Sequence, residues 1–196
     1  MMTSMEIAQH YLDEIRRQLR GHKRLAEGAL AQVTDEQLLA ILDPESNSLA
    51  ILIRHIAGNM RSRFTDFLTT DGEKPDRHRD KEFELDGDIT REELMRCWEE
   101  GWAVVNRTLD SLKPPDLLKT VYIREEPHTV LQALNRALTH YAYHIGQIVF
   151  LAKHLGTHSW QTLSVPRGKS DEFNREMIER RRRSGNAAAG KATREL

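Results

Sequence analysis

Residues 129–155 read TVLQALNRALTHYAYHIGQIVFLAKHL, and their apolar side chains recur every three to four positions. On a helical wheel, the centre of the apolar stripe is formed by Leu134, Tyr141, Ile145, Ile148 and Ala152. Gly156 follows the last turn, where a glycine commonly forms the C-cap. The segment therefore predicts one long amphipathic helix, which begins near His128 or Thr129 and ends at Gly156.

Two earlier segments have the same helical period. Residues 5–33 carry one apolar stripe made of Ile7, Tyr11, Ile15, Leu19, Leu25, Ala29 and Val33. A second stripe follows the cluster at residues 46–48, whose serines can supply an N-cap, and its helix is expected to end near Thr69. Its inward-facing positions are Leu49, Leu52, Ile53, Ile56, Met60, Phe64 and Phe67.

A further helix is predicted to begin with a capping box. The Thr90 hydroxyl can accept from the backbone of Glu93, and the Glu93 side chain can return the bond. Pro114 ends this helix, because proline cannot continue the hydrogen-bond ladder. Residues 118–127, LKTVYIREEP, instead place β-branched and aromatic residues around a charged turn, which predicts a short strand or hairpin.

The connections between these elements indicate an all-α fold. Residues 70–89 are charged and contain glycine and proline, which indicates a linker. When extended, this stretch spans about 60 Å, twice the length of a helix of about 30 Å. The second and third helices are therefore predicted to run parallel, joined by a crossover, and the first two to run antiparallel. We expect one domain over residues 1–175 and a basic, disordered tail over residues 176–196.

Composition excludes several classes of protein. Among 196 residues the lone Cys97 excludes an intrachain disulfide and a cysteine-rich zinc module, so metal chemistry would rest on histidine and carboxylates. The net charge of −1 divides into +4 over residues 175–196 and −5 over the rest. With no long apolar run and no signal-peptide pattern at the start, we expect a soluble cytoplasmic protein without a membrane partner.

Three histidines are candidates for metal binding. His140 and His144 are four residues apart in the last predicted helix, which places two imidazoles one turn apart on the same face. His55 lies beside the apolar stripe of an earlier helix, and a third imidazole facing the pair would give a three-histidine site with an open fourth position. By spacing alone, however, histidines on the flank of a helix are more often hydrogen-bonded residues at the boundary of the core.

Two segments resemble the DinB/YfiT-like superfamily of metal-dependent four-helix proteins: SLAILIRHIAGNM at residues 48–60 and LTHYAYHIGQIVFLAKHL at residues 138–155. WQTLSVPRGKSDEFN, at residues 160–174, is similar to a branch of that superfamily that is a domain of unknown function. The resemblance covers about residues 5–175. It implies an up-down-down-up four-helix bundle with a long crossover between helices 2 and 3 and a C-terminal extension. It also implies a divalent ion bound by His55, His140 and His144.

The same resemblance implies an activity less directly. Characterised relatives include transferases and an isomerase that use low-molecular-weight thiols, and a bound divalent cation, Zn²⁺ or Ni²⁺, would stabilise the thiolate. Thiol-dependent transfer with a small-molecule substrate is therefore the leading hypothesis for the function. Hydrolysis by metal-activated water is the nearest enzymatic alternative. The alternative outside the enzymes is a non-catalytic metal-binding or stress-response protein.

Two amide side chains are candidates for supporting the metal site. Asn59 follows His55 by one turn and Gln147 follows His144 by three residues, so each could orient an imidazole or hydrogen-bond a metal-bound water. Both positions are also compatible with ordinary polar residues at the core boundary. No catalytic residue is assigned from the sequence.

Two surface features indicate which partners the protein could bind: the outward face of the last helix and the basic tail. Thr139, Tyr143, Gly146 and Phe150 lie opposite the apolar stripe, where a surface helix is normally charged. We expect a homodimer that buries this face, with cover by the segment around Trp160 as the alternative. The four arginines at residues 180–183 could contact phosphates, but the acidic body offers no basic groove, and a nucleic-acid partner is not expected.

Overall fold

The protein is described by a computed structural model covering residues 2–85, 89–156 and 160–192. This part of the chain is mostly helical, as the sequence predicts, with one small two-stranded sheet. The helices are α1 (Ser4–Leu30), α2 (Asp35–Leu39), α3 (Leu49–Phe64), α4 (Arg91–Ser111), α5 (Val130–Leu155) and α6 (Ser170–Ala192). Two 3₁₀ helices span Arg79–Phe83 and Pro114–Leu118, and the strands are β1 (Thr120–Ile123) and β2 (Glu126–Thr129).

The predicted first helix ends slightly before residue 33, and a separate short helix follows it. It ends at Leu30, and Thr34 starts the separate helix α2 through a capping box with Gln37 that the sequence analysis missed. The expectation that Ile7 is buried is wrong, because its side chain is 57% exposed. The Tyr11 hydroxyl donates to the carbonyl of Leu131 at the start of α5, so Ile7 lies a turn beyond the residues that α5 covers.

The helix that carries His55 follows the predicted pattern closely. Ser48 is the N-cap and its hydroxyl accepts from the backbone of Ile51, and all seven predicted inward-facing residues are buried. The helix ends at Phe64 rather than near Thr69. Thr65 is extended and Asp66 has a φ of 48°, so the backbone leaves the helical conformation at this point.

The remaining predicted boundaries agree with the structure. Thr90 forms the capping box with Glu93 at the start of α4, and Thr129 caps α5. Gly156 ends α5 with a φ of −73°, so a left-handed conformation is not the reason for glycine here. A Cβ at this position would lie 3.0 Å from the carbonyl oxygen of Ala152, which is a tight contact for a side chain. The predicted hairpin is present, with Arg124 and Glu125 forming its turn at φ values of 55° and 65°.

Contacts between helices define their relative directions. Gly101 of α4 lies so close to α3 that a Cβ there would be 3.1 Å from the Cα of Ala57, and seven residues further the Thr108 hydroxyl donates to the carbonyl of Phe64. The contacts advance along both helices together, so α3 and α4 run parallel, as the crossover predicts. Helices α1 and α4 run antiparallel. Trp98, early in α4, donates to Glu27 near the end of α1, whereas Arg16, earlier in α1, donates to the carbonyl of Leu109 near the end of α4.

The chain divides into two compact units, Met1–Trp160 and Gln161–Leu196. Helix α6 belongs to the second unit and continues through Ala192, whereas the sequence analysis predicts disorder in this region. Its composition suits a helix, since Arg180 and Arg183 pair with Glu176 and Glu179 one turn earlier. The domain boundary at residue 175 stays a prediction. None of the helices in the described ranges has the length and apolar character that crossing a membrane requires.

Candidate metal centre

Three imidazoles meet where α3 faces α5. His55 comes from α3 and is 4% exposed, and His140 and His144 come from successive turns of α5 and are half-buried. Nε2 of His140 lies 3.3 Å from Nε2 of His55 and 3.1 Å from Nε2 of His144. Together the three side chains could hold a metal ion, because their ligand atoms all lie within 4.8 Å of one another.

The neighbouring groups fix which ring nitrogen carries hydrogen. Nδ1 of His55 lies 2.9 Å from a carboxylate oxygen of Glu82, and Nδ1 of His144 lies 2.9 Å from Oε1 of Gln147. Both oxygens accept, so both Nδ1 atoms donate and both Nε2 atoms keep their lone pairs. This tautomer is the one in which Nε2 binds metal, with the outer hydrogen bond holding the ring in place.

The arrangement fits a cation better than a hydrogen-bond network. Nε2 of His140 offers one hydrogen or one lone pair, and it therefore cannot form good hydrogen bonds to the lone pairs of both neighbours. A divalent ion accepts all three lone pairs. Two nitrogens bound about 2.1 Å from a tetrahedral ion are about 3.4 Å apart, close to the two nitrogen separations at His140.

The electrostatic environment favours the neutral forms of His140 and His144. Burial lowers the pKa of His140 to about 3, and the positive charges that His144, His55, Arg77 and Arg63 can carry add to this effect. Burial also lowers the pKa of His144, although its hydrogen bond to Gln147 opposes the shift. A metal ligand must be deprotonated, so these two imidazoles are ready to bind at neutral pH.

Glu82 is the residue of this site that the sequence analysis missed. It lies in the 3₁₀ helix Arg79–Phe83, so the description of residues 70–89 as a linker alone is wrong. Arg77 donates to both carboxylate oxygens of Glu82 at 2.8 and 2.9 Å. Although burial opposes the change, hydrogen bonds from His55 and Arg77 hold the pKa of Glu82 below its ordinary value. The carboxylate is therefore charged when it accepts from His55.

Two features of the sequence make room for Glu82. A Cβ at Gly58 would collide with the Glu82 side chain, so glycine at this position of α3 permits the close approach. The Phe83 ring lies 4.9 Å from the His55 ring and anchors the crossover over the site. Phe83 is the one sequence signal that could have revealed the contact, as an aromatic residue in an otherwise charged stretch.

The two candidate supporting amides have different surroundings. Gln147 contacts an imidazole directly, through the bond to Nδ1 of His144. The Asn59 side chain instead accepts from the hydroxyl of Tyr141 at 3.1 Å, and its carbonyl oxygen is thereby turned toward the core. Tyr141 is fully buried, in agreement with a packing role.

The three histidines line a cavity of about 760 Å³. Its walls combine aromatic rings, among them Phe64, Phe67 and Phe83, with several arginine side chains. A cavity of this volume accommodates a small organic molecule. The histidine cluster is therefore accessible to a ligand from one side.

The chain matches the model of a known protein family. The family model described as "Protein of unknown function (DUF1572)" covers residues 6–169. The chain belongs to this family. The match includes all three histidines, Glu82 and the hairpin of the DUF1572 chain, and it stops just before α6. No curated protein and no solved structure matches the chain.

The outer face of α5 in this DUF1572 protein is apolar, as predicted. Tyr143 is 64% exposed and Phe150 is 73% exposed. Gly146 lies between them, and among the described residues no atom lies within 4 Å of the position of a Cβ there. The Tyr143 ring also packs 4.9 Å from the His144 ring and lines the cavity. The exposed face therefore adjoins the candidate metal centre.

Replacing Glu82 with glutamine should weaken Zn²⁺ binding without removing a metal ligand. The substitution keeps the shape but removes the negative charge that makes the His55 imidazole a stronger ligand. Loss of such a partner typically costs about 10- to 100-fold in metal affinity. Competition titration with a chromophoric chelator measures the effect. The matched control is Glu84→Gln, because Glu84 is exposed on the same segment and contacts Arg54 and Lys81 through its backbone. Equal Zn²⁺ affinity in the Glu82 variant and the control would contradict the role of Glu82.

Proposed function

We propose that the chain is a metal-dependent protein of the DinB-like type in which His55, His140 and His144 bind one divalent ion. The observation that carries this proposal is the convergence of three Nε2 atoms, two of them with lone pairs fixed by Glu82 and Gln147. Neutral imidazole suits both Zn²⁺ and Ni²⁺, and these are the ions we favour.

The fold we propose for helices α1, α3, α4 and α5 is an up-down-down-up bundle. Its support is the set of helix directions: α3 runs parallel to α4, and α1 runs antiparallel to α4. Helix α1 runs parallel to α5, because Tyr11 contacts the carbonyl of Leu131 and Gln37, beyond the end of α1, donates to the carbonyl of Leu155. This order agrees with the resemblance to the DinB/YfiT-like superfamily.

The reaction class we propose is thiol-dependent transfer at an electrophilic carbon. A bound divalent ion would supply stabilisation of the thiolate near neutral pH. The residues of the chain would hold the imidazoles in one tautomer, exclude bulk water from the buried side of His55 and present cationic side chains to the substrate. The thiolate forms the new bond to carbon while the leaving group departs with its electron pair.

Two alternatives differ from this reaction in what they require of the cavity. Hydrolysis by a metal-activated water would need a substrate and a water but no thiol. A non-catalytic metal-binding or stress-response protein would need no substrate space beside the ion. The cavity of about 760 Å³ next to the ring nitrogens favours the catalytic readings.

Metal analysis followed by an activity screen tests the proposal. We expect close to one Zn²⁺ or Ni²⁺ per chain in purified protein. The screen would combine low-molecular-weight thiols with a chromogenic electrophile, using metal-loaded and chelator-treated protein. Turnover that requires both thiol and metal supports the transferase. Ester hydrolysis that requires metal but no thiol supports the hydrolase, and stoichiometric metal without either activity supports the non-catalytic reading.

We also propose that the apolar outer face of α5 forms a two-fold homodimer. The exposed rings of Tyr143 and Phe150 are seven residues apart, on either side of Gly146, so two copies of this helix could approach closely. Burial of four aromatic rings would offset the loss of free motion on association.

The double substitution Tyr143→Asp with Phe150→Asp should convert this dimer to a folded monomer. Paired carboxylates on one face would repel those of a second copy and would lose solvation on association. Light scattering of wild-type and variant protein measures the mass. The single variant Phe150→Asp distinguishes an effect on the interface from an effect on the cavity, because Tyr143 lines the cavity and Phe150 does not. A wild-type monomer, or a double variant that stays dimeric, would refute the interface.

A further inference from the structure

The cavity beside the histidines has an excess of positive charge. Five arginines line it: Arg63, Arg77, Arg79, Arg124 and Arg136. In the part of the chain that the structure describes, no acidic side chain lines the same cavity. The nearby Glu73 serves three of the arginines through a single oxygen, Oε2, which lies 2.9 Å from Arg63, 3.1 Å from Arg124 and 3.5 Å from Arg77. Glu73, Glu82, which accepts from Arg77, and Asp80, which lies 3.7 Å from Arg79, therefore balance only part of the charge of the five arginines.

Arg63 has an unused donor inside the protein. Its side chain is 12% exposed, and its Nη2 donates to Glu73, but its buried Nη1 has no hydrogen-bond partner among the described residues. Burial lowers the pKa of the Arg63 guanidinium, Glu73 opposes this shift, and Arg77 and Arg124 add to it. A buried donor without a partner is uncommon and calls for an explanation.

The crossover and the hairpin hold Arg124 in place beside Arg63. The Asp71 carboxylate accepts from the backbone N–H groups of Arg124 and Glu125 at 2.9 and 2.8 Å, and it also accepts from the backbone of Glu73. Gly72 donates to the carbonyl of Tyr122 at 2.8 Å, which joins the crossover to β1. The position of Arg124 is therefore fixed by several bonds that do not involve its own side chain.

Part of the cavity wall suits an apolar group. Phe64, Phe67 and Ile123 line the cavity and are each nearly buried. Ala133, Arg136 and Ala137 of α5 line the same cavity. The cavity thus combines guanidinium groups and an apolar wall with the histidine cluster.

We infer that Arg63, Arg124 and Arg136 form a subsite for the anionic oxygens of a small organic acid, whose apolar part lies against Phe64, Phe67 and Ile123. The free Nη1 of Arg63 donates to an acid oxygen, and the planar guanidinium group suits a carboxylate or a phosphate ester. The inference rests on the proposed function in one respect, namely that this acid is the substrate of the reaction proposed for the same cavity. The subsite itself does not need the metal.

Calorimetric titration of chelator-treated protein with 4-phenylbutyrate tests the subsite. Its carboxylate and aromatic body represent the predicted ligand class, and 4-phenylbutyramide is the neutral control. We expect the acid to bind at least tenfold more tightly than the amide, and its affinity to fall as salt concentration rises. Equal binding of acid and amide, or no binding of the acid, would overturn the inference. Inorganic phosphate binding as tightly as the acid would overturn the assignment of an apolar part.

Two variants locate the binding. Arg63→Lys keeps the charge near Glu73 but removes the planar pair of donors, and Arg136→Ala removes an exposed arginine without an ion pair in the described part of the chain. We expect the affinity for 4-phenylbutyrate to fall about tenfold in the first and severalfold in the second. Arg96→Ala, on the exposed face of α4, is the matched control and should bind as the wild type does.

The outcomes separate the subsite from the metal-dependent function. If folded Arg136→Ala and Arg63→Lys proteins both keep wild-type affinity for the acid, the inferred subsite is wrong. If the acid binds as expected but the protein takes up no divalent ion, the subsite stands and the proposed metal-dependent function fails. Thermal unfolding of each variant identifies any loss of folding, and the exposed position of Arg136 keeps the test valid if Arg63→Lys does not fold.

Discussion

Substitution of His140 by alanine is expected to abolish stoichiometric binding of Zn²⁺. Nε2 of His140 is the ring nitrogen that lies within 3.3 Å of both other imidazoles, so its loss leaves two nitrogens of a three-ligand set. The binding free energy of structural Zn²⁺ sites with four ligands is about 10–16 kcal/mol, so each ligand contributes a few kcal/mol. The affinity should therefore fall by more than about 100-fold. Removal of His55 or His144 should have an effect of similar size.

The measurement is metal per chain after dialysis against a competing chelator. His10→Ala is the matched control, because His10 is exposed on α1 and should leave the stoichiometry unchanged. Full stoichiometric binding in the His55, His140 and His144 variants alike would remove the proposed site.

Acidification should release the ion from the wild-type protein. Protons compete with the metal for ring nitrogens, but the lowered pKa values of His140 and His144 place that competition below the ordinary histidine value of 6.5. We therefore expect full occupancy at pH 7 and a decline as the pH falls below 6.5. The same shift lowers the stability of the metal-free fold on acidification, because the unfolded chain takes up protons that folded His140 does not bind.

The sequence indicated the histidine cluster because local periodicity carries most of the information. His140 and His144 share a face of one helix, and their relative position follows from helical geometry alone. His55 is different, since only the resemblance to a family connected it with the other two. The buried stripe of α3 was predictable for the same periodic reason, and all seven of its predicted residues are buried.

Glu82, Arg77 and Asp71 were not predictable in this way. All three lie in the crossover, where no period relates one residue to the next and charged side chains suggest exposure. Their positions depend on long-range contacts: Glu82 with His55, Arg77 with Glu73 and Glu82, and Asp71 with the hairpin turn. Charges of this kind are stable only in combination, so, apart from the aromatic Phe83 beside Glu82, no residue of the crossover indicates their positions in the sequence.

Addition of Zn²⁺ to metal-free protein should raise the midpoint of thermal unfolding, Tm, by about 5–15 °C. The ion would join α3 to α5 through residues 85 positions apart in the chain, and the unfolded chain does not hold these nitrogens together. Binding to the folded state alone adds about 2.7 kcal/mol at a free concentration of 100 Kd and about 4.1 kcal/mol at 1,000 Kd. For a chain of this size, each kcal/mol corresponds to about 2–4 °C in Tm.

The dependence on concentration distinguishes this linkage from a general effect of salt. Tm should rise with the logarithm of free Zn²⁺ in the wild-type protein and in His10→Ala, whereas His140→Ala should show little change. Mg²⁺ at the same concentration should have no comparable effect, because it prefers oxygen ligands to imidazole. Stoichiometric Zn²⁺ binding without a rise in Tm would mean that the unfolded chain binds the ion equally well, and the ion would then not stabilise the packing of α3 against α5.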